Sequence, residues 1–275
     1  MDLAADAKAR AVATYNAAAD HYDDPANSFW ERFGRATIER LRPAVGSRVL
    51  DVCCGSGASA LPAAEWVGPG GSVLGIDLAE NLLELARAKA AKRKLEQTEF
   101  RSGDLLDMPL RGERFDAVVC VFGVFFVADM RAAVRALWRA VRPGGKLAVT
   151  TWGPHFFEPS TTAFWNAVRE VRPDLFKGFN PWDRICDPQA LPALLRDSGV
   201  ENAEIVAEAG SHPIRSPEAW WSAVLGSGYR GTVDQLNAAA LAFVRESNLR
   251  YIRNSGISSV EANVIYAFAE KSTSE

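Results

Sequence analysis

The residues with chemical potential begin at a strand end. Val49-Leu50-Asp51-Val52 runs into Cys53-Cys54-Gly55-Ser56-Gly57, an apolar β-forming stretch that ends in an acid and a glycine-rich turn. Glycines let the backbone turn sharply and approach a ligand closely. A helix starting there offers unpaired N–H groups and the positive end of its dipole to an anion. Asp77 closes a second apolar run, 22 residues beyond Gly55, where a carboxylate can accept two hydrogen bonds from a ribose diol. Two cofactor classes share this chemistry. Gly55-Ser56-Gly57-Ala58-Ser59-Ala60 satisfies the loose GxGxxA pattern of a nicotinamide-dependent oxidoreductase. Asp51 weighs against that reading, because an acid at this place would face a dinucleotide's phosphates. It suits the ammonium end of a methionine zwitterion.

These residues need elements to hold them. From Arg48 onward, short apolar runs at 48–52, 72–77, 98–103, 115–123 and 145–152 alternate with helical patterns at 58–67, 79–95 and 129–142. Met130, Val134, Leu137, Trp138 and Val141 form one helical stripe, which Pro143-Gly144-Gly145 should stop. The last two runs are almost wholly apolar, as expected of strands covered on both faces. Such alternation predicts βαβ units: a doubly wound α/β fold around a mostly parallel sheet. A helix at about 188–199, a strand near 202–207 and a final strand in ANVIYAFAEK extend this core to about 40–153, 187–208 and 262–271. The remaining pieces, about 1–39, 154–186 and 209–261, read as a helical, aromatic-rich cap of the same single domain, or as surface helices that complete the core. In the last piece, helices should open at Ser216-Pro217-Glu218 and at Thr232, where Thr232 and Gln235 have capping-box spacing.

In VLDVCCGSG, GIDLAENLL, GDLLDMPL, and FDAVVCVFG followed by RPGGKLAVTTW, the chain resembles the class I S-adenosylmethionine-dependent methyltransferases, in particular their type 11 and quinone-biosynthesis group. The resemblance spans roughly residues 40–153 and weakens toward the chain end. It implies a seven-stranded Rossmann-like sheet and the cofactor S-adenosyl-L-methionine, leaving as S-adenosyl-L-homocysteine. It further implies that Asp51, Cys54, Gly55 and Gly57 hold the methionine part and that Asp77 binds the ribose, with Leu78 against the adenine. Asp104 would accept from the adenine amino group beside Leu105, in the segment that includes Met108-Pro109. Phe122 and Gly123 would lie along the cofactor near the methyl group. Tyr15 and Tyr22, seven apart on a helical pattern, either close over the cofactor or make core contacts. Two departures stand out: Cys53 replaces the motif's first glycine, and Val124-Phe125-Phe126 replaces the Leu-Arg-Asn that follows VFG in quinone C-methyltransferases.

The acceptor side carries fewer signals. Of three histidines, His155 follows the fifth strand, where a parallel sheet presents side chains to its ligand crevice. His155 and nearby Glu158 are the candidates to contact or deprotonate an acceptor. Aromatic residues in 154–186 and 211–230, including Trp220 and Trp221, suggest a small apolar or aromatic acceptor, or simply cap packing. A net charge of -3 argues against nucleic acid. Asn180-Pro181-Trp182 is faintly similar to a motif of amino-methylating DNA enzymes, but it does not follow the fourth strand, where that motif belongs. The four cysteines lack CxxC spacing and histidine partners, so no metal is expected; Cys53, Cys54 and Cys120 read as buried small residues in a reducing cytoplasm. No apolar run reaches the roughly 18 residues of a membrane span. An oxidoreductase, or a regulatory protein that keeps the cofactor site without turnover, remains the alternative.

Overall fold

A computed structural model describes residues 3–273 except 109 and 111. Two helices, α1 (Leu3–Tyr22) and α2 (Phe29–Leu41), precede the alternating core. The core then runs β1 (Arg48–Val52), α3 (Ala60–Val67), β2 (Ser72–Asp77), α4 (Glu80–Arg93), β3 (Thr98–Ser102), β4 (Phe115–Val121), α5 (Met130–Ala140) and β5 (Val141–Trp152). It continues through α6 (Ser160–Val171), α7 (Ala190–Arg196), β6 (Glu204–Glu208), β7 (Ser211–Pro213) and α8 (Pro217–Leu225). The chain closes with α9 (Arg230–Val233), α10 (Ala238–Asn254), β8 (Ser259–Glu261) and β9 (Val264–Glu270).

Seven strands form one sheet in the order β3-β2-β1-β4-β5-β9-β6. β1 to β5 pair in parallel, and β9 lies antiparallel between β5 and β6. From β1 the chain winds outward to β2 and β3, then returns to start β4 on the other side. The crevice between the carboxyl ends of β1 and β4 is therefore the switch point where doubly wound sheets bind ligands. Alternation along β1 explains the two-sided core. Val49 packs with Ile38, Leu61 and Leu83 on one face, whereas Leu50 and Val52 join Val134 and Leu137 on the other. Removing these side chains from water at about 25 cal/mol per Å² is what holds the layers together.

Four expectations need correction. No long helix starts at Thr232, which lies inside the short α9; α10 starts at Ala238, where the Asn237 side chain accepts from the Ala240 N–H at 2.9 Å. Gln235 instead donates to the Gly231 carbonyl at 2.5 Å. α5 ends at Ala140, and the chain enters β5 at once, so Pro143-Gly144-Gly145 sits within a strand whose pairing to β4 shifts register. β7 and β8 form a small two-stranded sheet that no alternation pattern announced. Finally, Cys54 and Cys120 are buried as expected, but Cys53 is only half-buried.

Candidate functional site

Backbone conformation marks the site first. Seven described residues other than glycine have positive φ. Arg42 and Lys94 end α2 and α4 in left-handed caps, which is ordinary. Four others gather at the carboxyl ends of the central strands: Cys53 after β1, Phe122 after β4, and His155 and Phe157 after β5. Left-handed backbone at such residues costs roughly 1–3 kcal/mol each and concentrates at ligand sites. Gly55 and Gly57 take φ of 53° and 86° in the turn between. Gly123 is required for a second reason: a Cβ there would lie 2.5 Å from the Cys53 Cβ and 2.9 Å from the Cys120 Sγ.

Three carboxylates line this edge in different states. Asp51 is 1% exposed; its Oδ2 accepts from Ser59 Oγ at 2.6 Å, and its Oδ1 has no partner. Burial, aided by the Asp77 charge and opposed by hydrogen bonds from Ser59 and the Ala60 N–H, pushes the Asp51 carboxyl up to about 7. Asp77 accepts from the Gly55 N–H and the Ala79 N–H, both at 2.8 Å, and so ties the glycine turn to the end of β2. Burial raises its pKa despite those bonds. Asp104 accepts from the Leu106 N–H and from Lys8 Nζ, each at 2.9 Å. Although burial opposes them, those two donors hold it below the usual carboxylate range. Leu78 is half-buried and Leu105 buried in the same region, while Pro109 lies outside the described residues.

α1 crosses above these groups. Tyr15 and Tyr22 meet edge to face at 6.3 Å, and Tyr22 stacks on Trp30 at 5.1 Å. The Tyr22 hydroxyl would be 3.2 Å from a Cβ at Gly55. Burial first raises both phenols well above their usual range; after it come the Asp77 charge for Tyr15, and Tyr15 then Asp77 for Tyr22. Polar contacts fasten α1 and the turn after it: Lys8 to Asp104, Asn16 to Asn81, and Asp23 to both Ser56 and Lys89. The structure therefore gathers Tyr15, Tyr22, Asp51, Cys54, Gly55, Gly57 and Asp77 at one edge, with Asp104 reached through Lys8.

Phe122 bounds this crevice on the β4 side and stacks on Trp152 at 3.9 Å. Trp152 meets Phe156 at 4.4 Å, and Phe156 meets Trp182 at 4.9 Å. Beyond that aromatic wall lies a surface cavity of about 210 Å³ that includes His155 and Glu158. Glu158 accepts from Thr162 Oγ1 at 2.8 Å, and its own N–H donates to the His155 carbonyl. His155 and Glu158 are thus brought together at this cavity, whose lining includes neither Asp51 nor Asp77. Sequence reasoning missed Ser59, Lys8, Asp23 and Trp152 here, and it missed Asp183 in the cavity. Trp152, as the last residue of an apolar strand, carried a positional signal; the partners of Asp104 and Ser56 did not.

The family pattern described as "Methyltransferase domain" matches residues 49–145. A demethylmenaquinone methyltransferase from Listeria monocytogenes serotype 4a is 35% identical over 150 residues, 54% of this chain and 62% of the relative. The chain thus spans less than two thirds of that relative. A nocamycin O-methyltransferase from Saccharothrix syringae is 32% identical over 208 residues, covering 76% of this chain and 68% of the relative. Among solved structures, a SAM-dependent methyltransferase from Aquifex aeolicus has a TM-score of 0.54 at 22% identity, covering 68% of this chain and 89% of that one. That likeness speaks for the fold.

Proposed function

Since the chain belongs to the class I S-adenosylmethionine-dependent methyltransferases, we propose that it moves a methyl group from S-adenosyl-L-methionine to a small, apolar or aromatic acceptor by in-line displacement. When bound, the cofactor supplies a methyl group activated by a sulfonium and leaves as S-adenosyl-L-homocysteine. The observation that carries the reading is the buried, unpartnered Oδ1 of Asp51 beside the glycine turn. A buried carboxylate oxygen without a donor fits a ligand ammonium, and it has no comparable use beside a dinucleotide's phosphates.

The residues that would hold the cofactor follow from the same edge. Asp51, Cys54, Gly55 and Gly57 take the methionine part, Asp77 the ribose hydroxyls and Leu78 the adenine face. Asp104, beside Leu105, exchanges Lys8 for the adenine amino group. Phe122 and Gly123 flank the methyl group, and Tyr15 and Tyr22 cover it. The pieces 1–39, 154–186 and 209–261 act as the cap of a single domain whose core is 40–153, 187–208 and 262–271. What this chain contributes to rate is alignment of the acceptor and exclusion of water beneath α1. His155 or Glu158 contacts the acceptor or takes its proton where the acceptor must lose one.

Transfer of radiolabelled methyl from S-adenosyl-L-methionine to a panel of phenols, amines and quinols tests the proposal. Labelled product with at least one acceptor class is expected. Cofactor binding without transfer to any would leave a regulatory protein. Near-unchanged turnover of His155→Ala at saturating acceptor would remove His155 from the chemistry and leave Glu158.

A further inference from the structure

The cavity beyond Trp152 has a one-sided chemistry. Its lining includes Phe156, whose ring is itself stacked on Phe157 at 3.9 Å, and the half-buried Trp182; its charged residues are Glu158 and Asp183, with neither lysine nor arginine among them. The guanidinium of Arg184, the residue after Asp183, donates to the carbonyls of Phe125, Val127 and Ala128. Glu158 is held by Thr162, and Asp183 by the Asn180 N–H at 2.6 Å, so both carboxylates are positioned before any ligand arrives. Burial pushes the Tyr229 phenol up and, against its bond to Thr161, the charges of Glu158 and Asp183 push the same way. A space with aromatic faces and two fixed carboxylates favours a cation, through ring quadrupole and charge together. At about 210 Å³ it is smaller than the roughly 300–1,000 Å³ of whole-ligand pockets, although a 150 Å³ cavity already admits benzene.

We propose that this cavity is a specificity subsite that anchors a protonated amine, one ring in size, on the acceptor. The amine lies between Glu158 and Asp183, and its ring rests against the half-buried Trp182. The assignment to the acceptor rests on the methyltransferase reading; the preference for a cation does not.

Calorimetric titration with three fragments of one shape, benzylamine, benzyl alcohol and benzoate, tests this, with S-adenosylhomocysteine titrated in parallel. Benzylamine should bind at least tenfold tighter than benzoate, and the difference should shrink as salt screens the carboxylates. The double variant Glu158→Gln/Asp183→Asn, which keeps hydrogen-bonding capacity at both positions, should abolish the preference. Equal binding of all three fragments, tighter binding of benzoate, no binding of benzylamine, or a preference that survives the double variant would each overturn the proposal. If benzylamine behaves as expected while S-adenosylhomocysteine does not bind, the cation site stands and the methyltransferase reading fails.

Discussion

Asp51 shows how a single residue can be costly to the fold and useful to the site. Its carboxyl titrates at about 7, above the ordinary 3.8. Between those values the folded protein keeps a proton that the unfolded chain has released, so stability falls as pH rises through that window. Above pH 7 the full cost applies, on the order of 4 kcal/mol. The raised Asp77 adds a slope of the same sign. Asp51→Asn should therefore flatten the pH dependence of thermal unfolding and raise the midpoint at pH 8, while weakening S-adenosylhomocysteine at least tenfold. Melting curves at pH 5 and pH 8 check this; a lower midpoint than wild type at pH 8 would contradict it. Asp51 and Asp77 were legible in the sequence because strand ends next to glycine turns have few other uses for an acid. Ser59 and Lys8 were not: one sits eight residues from Asp51, the other 96 from Asp104, and nothing local pairs them.

At the scale of elements, the site depends on two close approaches. α2 crosses the start of α3 at Gly34, where a Cβ would lie 2.3 Å from the backbone oxygen of Ala58. Backbone cannot give way as a side chain can. Gly34→Ala should destabilise by about 3 kcal/mol and lower the melting midpoint by roughly 6–12 °C; a change under 2 °C would mean that the helices can separate without cost. α1 is the other case, since its clasps to Asp104, Asn81 and Ser56 are mostly exposed and individually weak. Hydrogen exchange across residues 9–22 should slow severalfold when S-adenosylhomocysteine binds, because the ligand and the helix share one crevice. Unchanged exchange would place α1 outside the binding event. The alternating strands and helices were readable from period alone. α10 was not, because Thr232 and Asn237 are both good caps and only packing decided that Asn237 prevails.

For the molecule as a whole, the five parallel strands and the switch point lie within residues 40–153, whereas the acceptor side draws on segments far apart in sequence. Phe122 after β4, Trp152 at the end of β5 with Phe156 just beyond it, and Trp182 before α7 make one aromatic wall. Composition could announce those aromatics but not where they meet. Among the described residues no helix is long and apolar enough to cross a membrane. The central claim is that the β1–β4 edge holds S-adenosylmethionine, and calorimetric titration with S-adenosylhomocysteine, with NADH run in parallel, tests it most directly. The account predicts micromolar S-adenosylhomocysteine binding, weakened about a hundredfold in Asp77→Ala as two charge-assisted hydrogen bonds are lost, and no NADH binding. NADH binding without S-adenosylhomocysteine binding would contradict it.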